Sequence, residues 1–191
     1  MVQRSVAVLV GSLRKDAYSR KMALALEQLA PETLKLTIVE IRDLPLYDQD
    51  LDGDAPPAAW AAFRSAVRAA DAVLFVTPEY NRSVPGGLKN AIDVGSRPYG
   101  QSAWSRKPCA VVSISPGAIG GFGANQHLRQ SMVFLDMPVV QQPEAYVGGA
   151  ATLFAEDGSI ANEGTRTFLA GLMTALADLI ERVLGQPKSE S

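Results

Sequence analysis

With 191 residues, 47% of them hydrophobic and 20% charged, the chain is long enough to bury one sizeable core and short enough to be a single domain. Its 18 basic and 20 acidic residues leave a formal net charge of -2 with no block of like charge, which removes the electrostatic motive for binding nucleic acid or an anionic membrane. One cysteine, Cys109, and one histidine, His127, exclude an internal disulfide framework and a zinc site of the Cys/His type.

Ser5–Val10 (SVAVLV) is a continuous β-branched and apolar run, the pattern of a strand covered on both faces. Val6–Val10 is too short for a signal-peptide core and is followed by the basic pair Arg14 and Lys15, the reverse of the secretory order. No segment reaches the roughly 18 apolar residues that span a bilayer, so a cytoplasmic protein is expected. After Gly11 and a polar loop, Met22, Leu24, Ala25, Leu26 and Leu29 recur at helical spacing, and the helix ends before Pro31. Leu34–Ile41, rich in β-branched residues, closes a βαβ unit. Asp43–Pro57 has the acid, glycine and proline content of an exposed connection, and its aspartates lack the spacing of a calcium loop.

Ala58–Ala70 reads as a helix with Trp60, Phe63, Ala66 and Val67 along one stripe. Ala72–Val76 is a third strand, and Pro85 opens a helix through Leu88, Ala91, Ile92 and Val94. Pro108–Ile114 is a fourth buried strand, followed by a glycine-rich loop and a helix from about Gln126 to Leu135. Val139–Gln141 is read as a short fifth strand, and Thr165–Leu184 as a long closing helix. Residues 1–185 are expected to form one domain and 186–191 a disordered tail. Strands alternating with helices at this length predict an α/β fold, a doubly wound five-stranded parallel sheet in the flavodoxin-like order 2-1-3-4-5. Ligands of such sheets bind outside the carboxyl ends of the strands, where the loops Gly11–Ser19, Pro78–Gly87 and Ser115–Asn125 converge.

The first of these loops discriminates among nucleotides. It lacks both G-x-G-x-x-G and the P-loop pattern, which disfavours a resident dinucleotide or ATP. It offers instead the hydroxyls of Ser12 and Ser19 and the guanidinium of Arg14 beside a helix N-terminus, a set suited to a terminal phosphate monoester. Ser19 is equally readable as a plain helix N-cap, and the two roles are compatible.

GSLRK at Gly11–Lys15, TPEYNRSVPGGLKNAID at Thr77–Asp93, DLPLYDQD at Asp43–Asp50 and HLRQ at His127–Gln130 together resemble the NADPH-dependent FMN reductase family, over nearly the whole chain. The resemblance implies a flavodoxin-like fold, bound FMN, NADPH or NADH as co-substrate, a homodimer or homotetramer, and reduction of quinones, azo dyes, chromate or free flavin by ping-pong hydride transfer. It implies that Ser12, Arg14 and Ser19 hold the phosphate, that Pro78, Glu79, Tyr80 and Asn81 face the isoalloxazine and ribityl, and that Ser115 and Gly117 meet the far edge of the ring. Ala17 stands where many relatives carry serine or threonine. Hydride transfer needs no protein nucleophile, which agrees with a sequence holding no evident triad. Two other readings carry their own expectations: a non-enzymatic flavodoxin-like carrier, disfavoured by the balanced charge, and a serine hydrolase on Ser115 with His127 as base, where Ser113 spoils the G-x-S-x-G elbow.

Overall fold

Strands β1 (Arg4–Val10), β2 (Leu34–Ile38), β3 (Ala72–Thr77), β4 (Cys109–Ile114) and β5 (Ala145–Val147) pair in parallel as one sheet ordered β2-β1-β3-β4-β5. The computed structural model describes residues 2–185, so the tail expected to be disordered lies outside the described residues. Between the strands run α1 (Tyr18–Leu29), α2 (Ala58–Ala69), α3 (Gly86–Gly95) and α4 (Phe122–Phe134), and α5 (Glu163–Leu184) closes the chain.

Side-chain alternation along the strands builds two cores. Val6, Val8 and Val10 of β1 and Leu74 and Val76 of β3 face α1 and α5, packing on Met22, Leu26, Leu169, Leu176 and Ile180. Leu9, Val73, Phe75 and Val111 point the other way, onto Trp60 and Phe63 of α2, Leu88 of α3 and Leu128 of α4. Both faces of β1, β3 and β4 are therefore dry, which is why these strands read as unbroken apolar runs. Among the described residues no helix is long and apolar enough to cross a membrane.

Register brings the carboxyl ends of the central strands level: Val10 pairs with Val76 and Thr77 with Ser113. At that edge Gly11 N–H donates to Val76 O at 2.8 Å, and a Cβ on Gly11 would stand 2.6 Å from Thr77 Oγ1. Only glycine lets the first loop leave β1 so close to β3.

Four expectations need correction. The fifth strand is Ala145–Val147, not Val139–Gln141. Cys109 N–H does donate to Pro138 O and Val140 N–H to Cys109 O, so the earlier segment touches the edge of β4, with Val139 bridging Cys109. Pro143 then supplies no N–H, and the ladder resumes beyond it. The fourth helix begins at Phe122 rather than Gln126, because Gly121 turns in the left-handed region (φ 78) and the Glu79 carboxylate accepts the Ala124 N–H at 3.1 Å. A cap supplied from another loop leaves no local sequence signal. On α2, Arg64 rather than Ala66 completes the buried stripe. Its guanidinium makes a bidentate pair with Asp52 at 2.7 and 2.8 Å, donates to Val94 O at 2.8 Å and lies 5.7 Å from the Trp60 ring centre. The loop expected to be merely solvated is thus pinned by a buried ion pair, and Asn90 fixes it again through Leu44, Pro45 and Tyr47.

Candidate functional site

Ser12 is buried where the first loop leaves β1, and its hydroxyl meets the Tyr80 phenol at 3.1 Å. The same oxygen accepts the Arg14 N–H at 3.3 Å. Either hydroxyl can donate in the contact with Tyr80; where the phenol does, the Ser12 proton is left for another acceptor. Two loops far apart in sequence are joined at this contact.

Ser19 lies in the first turn of α1 and is not the N-cap. That position belongs to Ala17, which gives no side-chain bond to the first turn. Among the described residues Ser19 Oγ is the buried side-chain polar atom with no hydrogen-bond partner, and the residue is 1% exposed. Such a hydroxyl costs about 1–3 kcal/mol unless something satisfies it. It sits at the uncapped, positive end of a twelve-residue helix, where backbone N–H groups also lack intrahelical partners. An oxyanion would satisfy the hydroxyl and those donors together. Arg14 is exposed in the same loop, with no carboxylate partner among the described residues.

After β3 the chain turns on Tyr80–Ser83, whose N–H and C=O groups exchange bonds at 3.0 Å, with Asn81 (φ 51) and Arg82 (φ 63) both left-handed. This is the type I′ geometry that asparagine tolerates and arginine adopts at a cost. Pro78 is half-buried at the strand end, and Tyr80 and Asn81 are exposed. The Glu79 side chain is committed to the start of α4 and to Arg82 at 3.5 Å, so toward a ligand Glu79 can offer only backbone. Ser115 and Gly117 stand past β4, tied to each other by Gly117 N–H donating to Ser115 Oγ at 3.2 Å and to the β5 side by Ser115 N–H donating to Val147 O at 3.0 Å.

Two clefts flank the first loop. One of about 570 Å³ is lined by Ser12, Arg14, Lys15, Arg20, Arg42 and Asp43 among others, and one of about 510 Å³ by Gly11, Arg14, Tyr80, Pro85, Gly86 and Gly87 among others. Ser12, Arg14 and Tyr80 are brought together in these clefts, whereas Ser115 and Gly117 line neither. Lys15, Arg20, Glu40, Arg42 and Asp43 also line the first cleft, and none of them was expected there from the sequence. The rule of carboxyl strand ends, applied to β2, points to them, since Glu40, Arg42 and Asp43 follow the end of that strand at Ile38.

The sequence pattern of the NADPH-dependent FMN reductase family matches residues 4–152. The chain belongs to this family. It is 66% identical over 177 residues to a quinone reductase of Pseudomonas putida, covering 93% of this chain and 95% of that one. A quinone reductase of Escherichia coli is 41% identical over 182 residues, covering 93% and 96%. Among solved structures, a flavoenzyme NAD(P)H:(acceptor) oxidoreductase from Paracoccus denitrificans superposes with a TM-score of 0.88 at 44% identity, covering 94% of this chain and 98% of that one. The protein is accordingly an oxidoreductase that works with FMN and a nicotinamide nucleotide, on the flavodoxin-like sheet.

The residues of this FMN reductase family member suit a flavin monophosphate. An orphaned buried hydroxyl at Ser19, the Ser12 hydroxyl and an uncapped helix start together suit an anion, and the open turn at Tyr80–Ser83 lies one strand away. The hydrolase arrangement is not assembled, since His127 Nδ1 bonds Ser83 Oγ at 2.9 Å and Ser115 Oγ accepts from Gly117. Cys109 is fully buried in β4, where burial pushes its thiol well above the ordinary range, leaving it inert at neutral pH. Among the described residues no cluster of metal-ligating side chains occurs.

Proposed function

We propose that the protein is an FMN-dependent NAD(P)H:quinone oxidoreductase of the cytoplasm, working as a homodimer or homotetramer and also reducing azo dyes, chromate and free flavin. The observation that carries the site is the unpartnered Ser19 hydroxyl at the start of α1, and the quinone assignment follows the relatives named above.

Ser12, Ser19 and the α1 N-terminus hold the FMN phosphate, with Arg14 closing over it from the exposed side of the loop. Pro78 and Tyr80 form the wall beside the isoalloxazine, and the backbone N–H groups of Glu79 and Asn81 serve its edge, the Tyr80 N–H being bonded to Ser83 O, while Ser115 and Gly117 bound its far side. When bound, FMN supplies a hydride acceptor and donor that no side chain of this chain can replace. The protein's part is to position the ring, keep the phosphate end fixed and leave one face open to each substrate in turn. Donor and acceptor then alternate at the same face, a ping-pong sequence.

The test is a visible spectrum of the purified protein, followed by turnover of NADPH and NADH with quinone, azo dye, chromate and free flavin. A yellow protein whose initial-rate plots against a quinone are parallel lines is expected. A colourless protein that takes up no added FMN would overturn the reading, and FMN binding without nicotinamide oxidation would reinstate the carrier. Arg14→Ala is expected to weaken FMN binding by about 1.5–3 kcal/mol, roughly ten- to a hundredfold, in a fluorescence titration. Unchanged affinity would remove Arg14 from the site.

A further inference from the structure

We infer, resting on the FMN-dependent reading above, that the first half of α4 fixes the turn Tyr80–Ser83 at the flavin edge, with Gly123 and His127 as positioning residues that raise the reduction potential of the bound flavin.

The turn is strained and carries spare donors. Asn81 (φ 51) and Arg82 (φ 63) both occupy the left-handed region, which an arginine keeps only where its surroundings over-determine it. Tyr80 and Ser83 use their N–H groups on each other, whereas those of Glu79, Asn81 and Arg82 find no backbone acceptor among the described residues. Fixed donors of this kind favour a ligand that gains negative charge, and a flavin gains one charge when it takes a hydride. What they contribute depends on how firmly the turn is held.

Three contacts brace the turn against α4. The Glu79 carboxylate accepts the Ala124 N–H at 3.1 Å. Beside it the Gly123 backbone comes so near that a Cβ there would lie 2.7 Å from Arg82 O and 2.9 Å from Glu79 Oε2, an approach that requires glycine. One helical turn further on, His127 Nδ1 meets Ser83 Oγ at 2.9 Å. Gly123 and His127 are four residues apart, so a single face of the helix carries both. That helix is itself anchored: Asn125, Leu128 and Met132 are fully buried, and the Asn125 amide donates to Ala145 O at 3.1 Å, tying α4 to the sheet. A strained turn is thus set against a rigid element. The His127 ring is exposed and its side chain makes no other bond among the described residues, so core packing does not account for it.

The experiment measures the midpoint potential of the bound FMN by equilibration with a reference dye, together with FMN affinity by fluorescence titration and apo-protein stability in urea. The proteins compared are wild type, His127→Leu, His127→Asn and Gly123→Ala. His127→Leu is expected to weaken binding of reduced FMN about tenfold more than binding of oxidised FMN, which lowers the midpoint potential by about 30 mV for a two-electron couple. Asparagine keeps a hydrogen-bonding atom close to the place of Nδ1, so His127→Asn should restore the wild-type potential. Gly123→Ala, whose methyl group displaces the turn, should lower the potential at least as far. An unmoved potential in both His127→Leu and Gly123→Ala would overturn the proposal, whatever happens to stability in urea. Equal weakening of oxidised and reduced FMN in both would overturn it too, since the turn would then be a wall and nothing more. The expected shifts in a protein that oxidises neither NADPH nor NADH would uphold the positioning role and sink the oxidoreductase reading, and a wild type that takes up no FMN would overturn both.

Discussion

Asp52→Ala is expected to lower the stability of the protein by about 3–5 kcal/mol, measured by urea unfolding. The Asp52 and Arg64 side chains are 3% and 4% exposed, and their two short bonds are the means by which a guanidinium is tolerated between α2 and α3. Removing the carboxylate leaves that charge with the Val94 carbonyl and the Trp60 ring, which do not neutralise it. Replacing both partners, Asp52→Ala with Arg64→Met, should recover most of the loss, because the buried charge is then gone as well. Equal destabilisation by the single and the double variant would show that packing, not charge, holds the loop.

The pair also sets an acid limit. Hydrogen bonds from Arg64 hold the Asp52 carboxyl below its ordinary range, against the opposing effect of burial. A depressed folded value means that the unfolded chain takes the proton first. The stabilisation is therefore complete above about pH 4, the unfolded value, and is lost as pH falls through the folded one. Measured against pH, the stability gap between wild type and Asp52→Asn should stay level from neutrality to about pH 4 and narrow below it. The consequence reaches the site, since the loop pinned at Asp52 begins at Asp43, in the wall of the basic cleft.

This pair marks the boundary of what the sequence made legible. Continuous apolar runs at β1, β3 and β4 disclosed a sheet covered on both faces, and the strand order followed from chain length and alternation. The residue types of the first loop, Ser12, Arg14 and Ser19, carried the expectation of a phosphate ligand. What stayed hidden depends on partners distant in sequence. Asp52 looks like one aspartate of a solvated loop until Arg64, twelve residues on, reaches it from α2. The start of α4 is set by Glu79, forty-five residues earlier, whose carboxylate thereby leaves the ligand side. Val139–Gln141 carries the composition of a strand, yet Pro143 moves most of the pairing to Ala145–Val147. The joining of Ser12 to Tyr80 is of the same kind, a contact between two motifs that the linear pattern could place only in one neighbourhood.

Ser19→Ala is expected to move stability and FMN affinity in opposite directions, and with Ser12→Ala it should produce the largest loss of binding. In the FMN-free protein the Ser19 hydroxyl is buried and unsatisfied, so deleting it removes a penalty. Apo-protein stability in urea should rise by up to about 1–3 kcal/mol. On the proposed reading the same hydroxyl donates to the FMN phosphate, so its loss should weaken FMN binding by about 1.5–3 kcal/mol. Ser12→Ala removes the contact that ties the first loop to Tyr80 and, on the proposed reading, a second charge-assisted bond to the phosphate. If the two bonds add, the double variant loses about 3–6 kcal/mol of FMN binding, a hundredfold or more, and the protein should purify colourless. A surface or packing role for Ser19 cannot produce this pair of signs: a packing hydroxyl would lower apo stability on deletion, and a surface one would change neither quantity. Urea curves with and without added FMN on the single variant therefore decide whether the orphaned hydroxyl is reserved for the phosphate, and a fall in apo stability would refute it.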